Sequence, residues 1–186
     1  MAKRSKSIAR TAARRTDVVV CGQRMEAAYS VPALQPEANG QWRVEPDKIA
    51  WTDRRTGYPC IIRREEKGHL GAYVGVARGH PLFGYEADAV PTGLLSVSGG
   101  IDYAAPCDQH GNESQSICHV RGGARHDDLW WLGTVCNRIG DLIPDDMAHA
   151  REAQRLGITQ TYRDAETLFR VCTDLAAELK ILEDER

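Results

Sequence analysis

Two β-prone runs, Pro59-Cys60-Ile61-Ile62-Arg63-Arg64 and His69-Leu70-Gly71-Ala72-Tyr73-Val74-Gly75-Val76, are separated by only Glu65-Glu66-Lys67-Gly68. A polar connection of four residues containing glycine leaves the chain little choice but to reverse, so the pair predicts an antiparallel hairpin. Later runs at Leu94 to Ser98, Ser116 to Arg121 and Leu129 to Val135 are expected to extend that sheet. Near the C-terminus, Leu168, Cys172, Leu175, Leu179 and Leu182 recur at spacings of three and four, which gathers them on one helical face. Thr161 or Thr159 is the expected cap of that helix, and a shorter helix from about Met147 to Leu156 is expected to end at Gly157. The stripe is expected to dock on the sheet or to pair with a second subunit, which makes a homo-oligomer the expected assembly. The fold class expected is therefore α+β, a mainly antiparallel sheet of about five strands packed against a long C-terminal helix.

With 186 residues, the chain suits one domain. Residues 1–16 carry six basic side chains and no acid, which leaves 18 basic against 26 acidic residues in the remainder. That asymmetry predicts a flexible basic arm at 1–16 and a single acidic domain at 17–186. The arm can contact nucleic acid by releasing phosphate counterions, although no aromatic residue interleaves it to stack on bases. Residues 17 to 47, broken by Pro32, Pro36, Gly40 and Pro46, read as loop with a short strand. No apolar run reaches the roughly 20 residues of a membrane span, and the first residues lack the apolar segment of a secretory signal, so a cytoplasmic protein is expected. On that footing the six cysteines are expected to be reduced and mostly buried. A zinc site built from Cys107, Cys118, His119 and Cys136 remains open, without the paired spacing of a structural motif.

Candidate chemistry concentrates between the hairpin and the final helix. Trp130 and Trp131 are adjacent, and neighbours on a strand point to opposite faces, so one can anchor the core while the other walls a ligand site. Pro81 restricts His80 and fixes its imidazole at a strand end. Ser98-Gly99-Gly100 allows close backbone approach to a ligand. The chain has no GxxxxGK[ST], GxGxxG, GxSxG or HExxH, which argues against the enzyme classes those motifs mark.

The order of these motifs resembles a family of small proteins encoded by bacteriophages and prophages. The likeness rests on Gly71 to Val76, Gly79-His80-Pro81, Gly99-Gly100-Ile101-Asp102-Tyr103, Ile117-Cys118-His119-Val120, and Trp130-Trp131-Leu132-Gly133 with Cys136 and Gly140-Asp141. It covers about residues 57 to 182. Where the resemblance leads one to expect a histidine, an acid and a second histidine, this chain carries Ser98, Val135 and Arg138. Losing all three argues against metal or acid-base chemistry at those positions, and Ser98 and Arg138 suit an anion instead.

The expectation is a small protein that binds and sequesters a phosphorylated nucleotide signal in host cytoplasm, without a cofactor, a metal or a catalytic residue. Its ligand-binding candidates are His80, Ser98, Gly99, Gly100, His119, Trp130, Trp131, Arg138 and Asp141. Two alternatives stand beside it. One is a structural phage protein whose arm meets nucleic acid or a neighbouring subunit. The other is a hydrolase using His119, Cys118, Asp141 and His80.

Overall fold

The computed structural model describes residues 12–97, 99–108, 112–119 and 127–185. Among the described residues, nine strands run in chain order: β1 Arg14–Thr16, β2 Val19–Val20, β3 Gln23–Arg24, β4 Ala27–Ser30, β5 Lys48–Thr52, β6 Pro59–Arg64, β7 Leu70–Val76, β8 Tyr103–Pro106 and β9 Trp130–Val135. Two α-helices of the described residues follow, α1 Met147–Arg155 and α2 Ala165–Asp184. Seven strands form one antiparallel sheet in the order β1-β4-β5-β6-β7-β9-β8, while β2 and β3 make a separate ribbon. The protein is α+β, with the long C-terminal helix on the sheet. The hairpin stands as expected, Cys60 opposite Val74 and Arg64 opposite Leu70.

All seven residues of β7 are buried. A strand buried on both sides loses the polar alternation of a half-exposed one, which accounts for its continuous apolar run. On one side, Leu70, Ala72, Val74 and Val76 join Leu132 and the α2 residues Leu168, Cys172, Leu175 and Leu179 in the main core. Those three leucines are fully buried, each contributing roughly 1.5–3 kcal/mol through removal from water. The stripe is thus covered within the chain from Leu168 to Leu179, with Leu182 partly buried at its end. The helix is capped by Asp164, whose carboxylate accepts from the Thr167 N–H, rather than by either threonine. On the other side, Tyr73 and Trp131 pack with Ile61, Cys107, Ile117 and Cys118 in a second core.

Several expectations change. Arg14–Thr16 pair with β4 as an edge strand, so this part of the anticipated arm belongs to the sheet, while residues 1–11 lie outside the described residues. The stretch from Leu94 to Val97 is bent, irregular chain rather than strand; the Ser96 N–H is taken by the Glu178 carboxylate, and Gly93, Gly99 and Gly100 all adopt positive φ. Residues 116–119 are likewise irregular, and positions 120 and 121 of that expected strand lie outside the described residues. Cys107 and Cys118 form a disulfide, contrary to the expectation of six reduced thiols; Cys21, Cys60, Cys136 and Cys172 are free.

The irregular chain from Val31 to Asp47 is held by Arg64. Its fully buried guanidinium donates to Asp47 Oδ1 at 2.7 Å, the Gly68 carbonyl at 2.9 Å, the Tyr162 hydroxyl at 3.0 Å and the Trp42 carbonyl at 3.1 Å. Asp47 in turn accepts from the Val31 N–H and Gln35. Tyr162 donates to Glu45, which also accepts from the Ala165 N–H at the first turn of α2. One arginine thereby joins the segment before β5, the hairpin and the final helix. No helix among the described residues is long and apolar enough to cross a membrane.

Candidate functional site

Beyond β9 the chain turns sharply at Arg138 to Asp141, where the Asp141 N–H donates to the Arg138 carbonyl at 2.7 Å. His149 of α1 fixes this turn from behind, its Nε2 lying 3.1 Å from the Arg138 carbonyl and 3.0 Å from that of Asp141. Since both partners are acceptors, Nε2 carries the proton and donates. Gln160 donates to the Ile139 carbonyl, and a parallel bridge joins Asp141 to Thr161. The bridge carries the following segment past the turn and delivers Arg163 beside it. Asp141 accepts from Arg163 Nε at 3.0 Å on one oxygen and from the Arg138 N–H at 3.1 Å on the other.

These elements enclose a cavity of about 380 Å³ between the end of β9 and the first turns of α2. Its polar wall comprises Thr134, Cys136, Arg138, Asp141, Arg163 and Thr167, and its apolar wall Val97, Leu168 and Val171. Arg138 approaches Thr134 Oγ1 at 3.4 Å, donates to the Val135 carbonyl at 3.2 Å and stands 3.5 Å from Asp102. Asp102 also accepts the Val135 N–H at 2.9 Å. Burial raises the Asp102 carboxyl above the ordinary aspartate range, while that N–H and Arg138 oppose the shift. Gly99 sits against the Arg138 guanidinium, so closely that an added Cβ would overlap it. Here glycine is required twice, by contact and by a φ of +81°.

The two arginines are oriented differently from the one at the centre of the fold. Arg163 is 46% exposed and uses one N–H on Asp141, with no hydrogen bond at its terminal nitrogens among the described residues. A guanidinium positioned through Nε by a carboxylate and open at its outer edge suits a bidentate oxyanion. Cys136 is different: burial pushes its thiol up to about 12, with Asp141 adding to the shift. It is a neutral thiol at physiological pH and not a nucleophile.

Of the residues proposed from sequence, Arg138 and Asp141 line this cavity, Gly99 supports it, and Gly100 lines the adjoining depression that shares Val97. Ser98 lies outside the described residues. The others are placed elsewhere. Trp131 is fully buried on the opposite sheet face with its indole N–H on Asp127, because its register beside Gly75 points it away from α2. Trp130 is a half-buried rim residue that packs against Phe83 and donates to the Tyr85 carbonyl. His80 is buried in the fold: its Nδ1 accepts from the Leu82 N–H, which leaves Nε2 to donate to the Leu179 carbonyl. His119 is buried with Nε2 at 2.7 Å from Glu26. The constellation of His119, Cys118, Asp141 and His80 is therefore not assembled, and Cys136 lies on the helix side of the sheet, away from Cys107 and Cys118.

Sequence reasoning missed Arg163, Thr134 and Thr167. Arg163 lies 22 residues beyond Asp141 in an irregular stretch, and only the bridge at Thr161 unites them. In comparisons with known proteins, no family model, no curated protein and no solved structure matches this chain.

Proposed function

We propose that this protein binds a small phosphorylated ligand, without transforming it, in the cavity between Arg138 and Arg163. The observation that carries the reading is the convergence of two arginines from separate segments on one cavity, one of them open at its terminal nitrogens. Phosphate oxygens would accept from the Arg163 terminal N–H groups and from Arg138, with the Thr134 hydroxyl at hand, while the Thr167 hydroxyl is already donated to Asp164. Val97, Leu168 and Val171 offer an apolar surface to the rest of the molecule, a nucleoside in the favoured case. That surface replaces the tryptophans as the seat of a base. A volume of about 380 Å³ suits one small ligand.

Binding is favoured over turnover by the lining itself. Among the described residues around the cavity there is no histidine, and the one thiol is held neutral. With the motif resemblance to phage proteins, the use of such binding would be to sequester a nucleotide with which a host signals infection. A second reading, partner binding through the basic terminus, draws on β1, where Arg14 and Arg15 are exposed at the open edge of the sheet.

The test is to mix the purified chain with lysate from infected, defence-competent cells, release bound molecules by heat and identify them by mass spectrometry. Recovery of an intact nucleotide that Arg138→Ala and Arg163→Ala fail to retain is the expected result. An altered product would replace binding with catalysis, and an empty protein would favour the partner-binding reading.

A further inference from the structure

A different cluster occupies the sheet face away from α2. Cys107 follows β8, Asp127 leads into β9, and Cys118 lies on the chain between them. One ligand atom from each, two sulfurs and a carboxylate oxygen, falls within 4.8 Å of the other two. We propose that Cys107, Cys118 and Asp127 form a binding site for a thiophilic divalent cation, zinc by preference, whenever the Cys107–Cys118 disulfide is reduced.

The donor set is the first argument. Two thiolates with a carboxylate suit zinc, whereas calcium and magnesium take oxygen ligands. The second is preorganisation. Asp127 Oδ2 accepts the His119 N–H at 2.9 Å, and Oδ1 accepts the Leu129 N–H and the Trp131 indole N–H, each at 3.2 Å. Ligating carboxylates are characteristically held by such outer hydrogen bonds, which fix their direction before the ion arrives. Both cysteines are only 4% exposed, so the pair is set into the fold and not strung along a surface loop.

Charge provides a third argument. Two thiolates and a carboxylate exceed a divalent ion by one negative charge, and Lys48 Nζ donates to the Cys118 carbonyl at 2.7 Å, which puts a buried cationic group beside the cluster. The three described ligands leave the fourth position of a tetrahedral ion to water or a further donor, as in sites that remain open.

Metal and disulfide exclude one another. A dithiol reductant passes two electrons and two protons to the two sulfurs and leaves as its own cyclic disulfide; the cation then displaces both thiol protons to solvent. The site would thus be loaded under reducing conditions and closed by oxidation. It is independent of the Arg138 cavity, which lies on the helix side of the sheet.

Cobalt(II) is the probe. The full chain is reduced with a dithiol, desalted without oxygen and titrated while near-ultraviolet and visible spectra are recorded. One equivalent should give thiolate-to-cobalt charge transfer with the visible bands of a tetrahedral ion, and zinc should abolish both. The oxidised chain and Cys107→Ser should give neither, and Asp127→Asn should keep the charge-transfer band with affinity reduced about tenfold or more. A reduced chain without these bands overturns the proposal, as does an undiminished signal in Cys107→Ser, which would assign the metal to other cysteines. Alkylation of the reduced wild-type chain, mapped by mass spectrometry, needs no variant to fold. Zinc should protect Cys107 and Cys118, and protection of neither, or only of other thiols, refutes the site.

Discussion

Arg64 and Arg138 are both arginines placed beside aspartates and backbone carbonyls, yet they serve opposite ends. Arg64 is wholly buried and donates to two side chains and two carbonyls in a closed network. Arg138 faces a cavity, is about one-third exposed and shares that cavity with a second arginine whose terminal nitrogens have no hydrogen bond among the described residues. The difference teaches that charge alone does not mark a site in this chain. What marks it is a guanidinium oriented by the protein while part of its donor capacity is left for something else.

The sharpest way to break the comparison is to truncate each side. Arg64→Ala leaves Asp47 buried without its ionic partner and should cost about 3–5 kcal/mol, read as a lower denaturant midpoint or Tm. Arg138→Ala should alter stability by no more than about 1 kcal/mol, as expected of a partly exposed ion pair, while abolishing phosphorylated-ligand retention. Equal destabilisation by both would erase the distinction. Between these extremes lies Gly133→Ala. The new Cβ would press on the Tyr73 ring and come within 2.6 Å of the Ala72 carbonyl oxygen, so a loss of about 1–3 kcal/mol is expected from overpacking. Binding should survive it, because Tyr73 lies on the other face.

Gly99→Ala sharpens the comparison on the cavity side. Its φ of +81° makes any side chain strained, by about 1–2 kcal/mol. Its main effect should be displacement of the Arg138 guanidinium, with at least a tenfold loss of affinity for pyrophosphate measured by calorimetry. Unchanged affinity would show that the Gly99 contact does not position Arg138.

These cases also show why parts of the molecule were readable in advance. The hairpin and α2 declare themselves because burial of one face imposes a period on the residues, and that period survives in the sequence. β5 does not, since Lys48 occupies a fully buried position and breaks the pattern. The run at Leu94 fails for the opposite reason: its composition suits a strand, but Gly93 and Gly99 turn the backbone and Glu178 takes a ladder N–H. In the site, Arg138 and Asp141 were legible because a tight turn brings near neighbours together. Arg163 was not, for a long-range bridge leaves no local pattern. Of the paired tryptophans, Trp131 anchors the core and Trp130 takes a half-buried rim position apart from the cavity, since large aromatics serve cores as readily as ligands.

The smallest expected effect concerns pH. Burial lowers the Lys48 ammonium from its ordinary value to about 8. Over the range from about 8 to 10 the unfolded chain then binds more protons than the folded one, so stability should rise with pH. Above about 10 the trend should reverse as tyrosines raised by burial, Tyr73 and Tyr162 among them, begin to ionise in the unfolded chain first. Denaturant melts of wild type and Lys48→Met between pH 7 and 10 check this, the variant showing the flatter rise.

The most direct test of the central claim is an amide chemical-shift titration with pyrophosphate at fixed ionic strength. Saturable shifts should centre on Thr134, Cys136, Gly140 and the Arg163 Nε–H, and should vanish in a folded Arg163→Ala variant. Shifts that never saturate, or that gather at Arg14 and Arg15 and persist in Arg163→Ala, would contradict the cavity between Arg138 and Arg163 as the binding site.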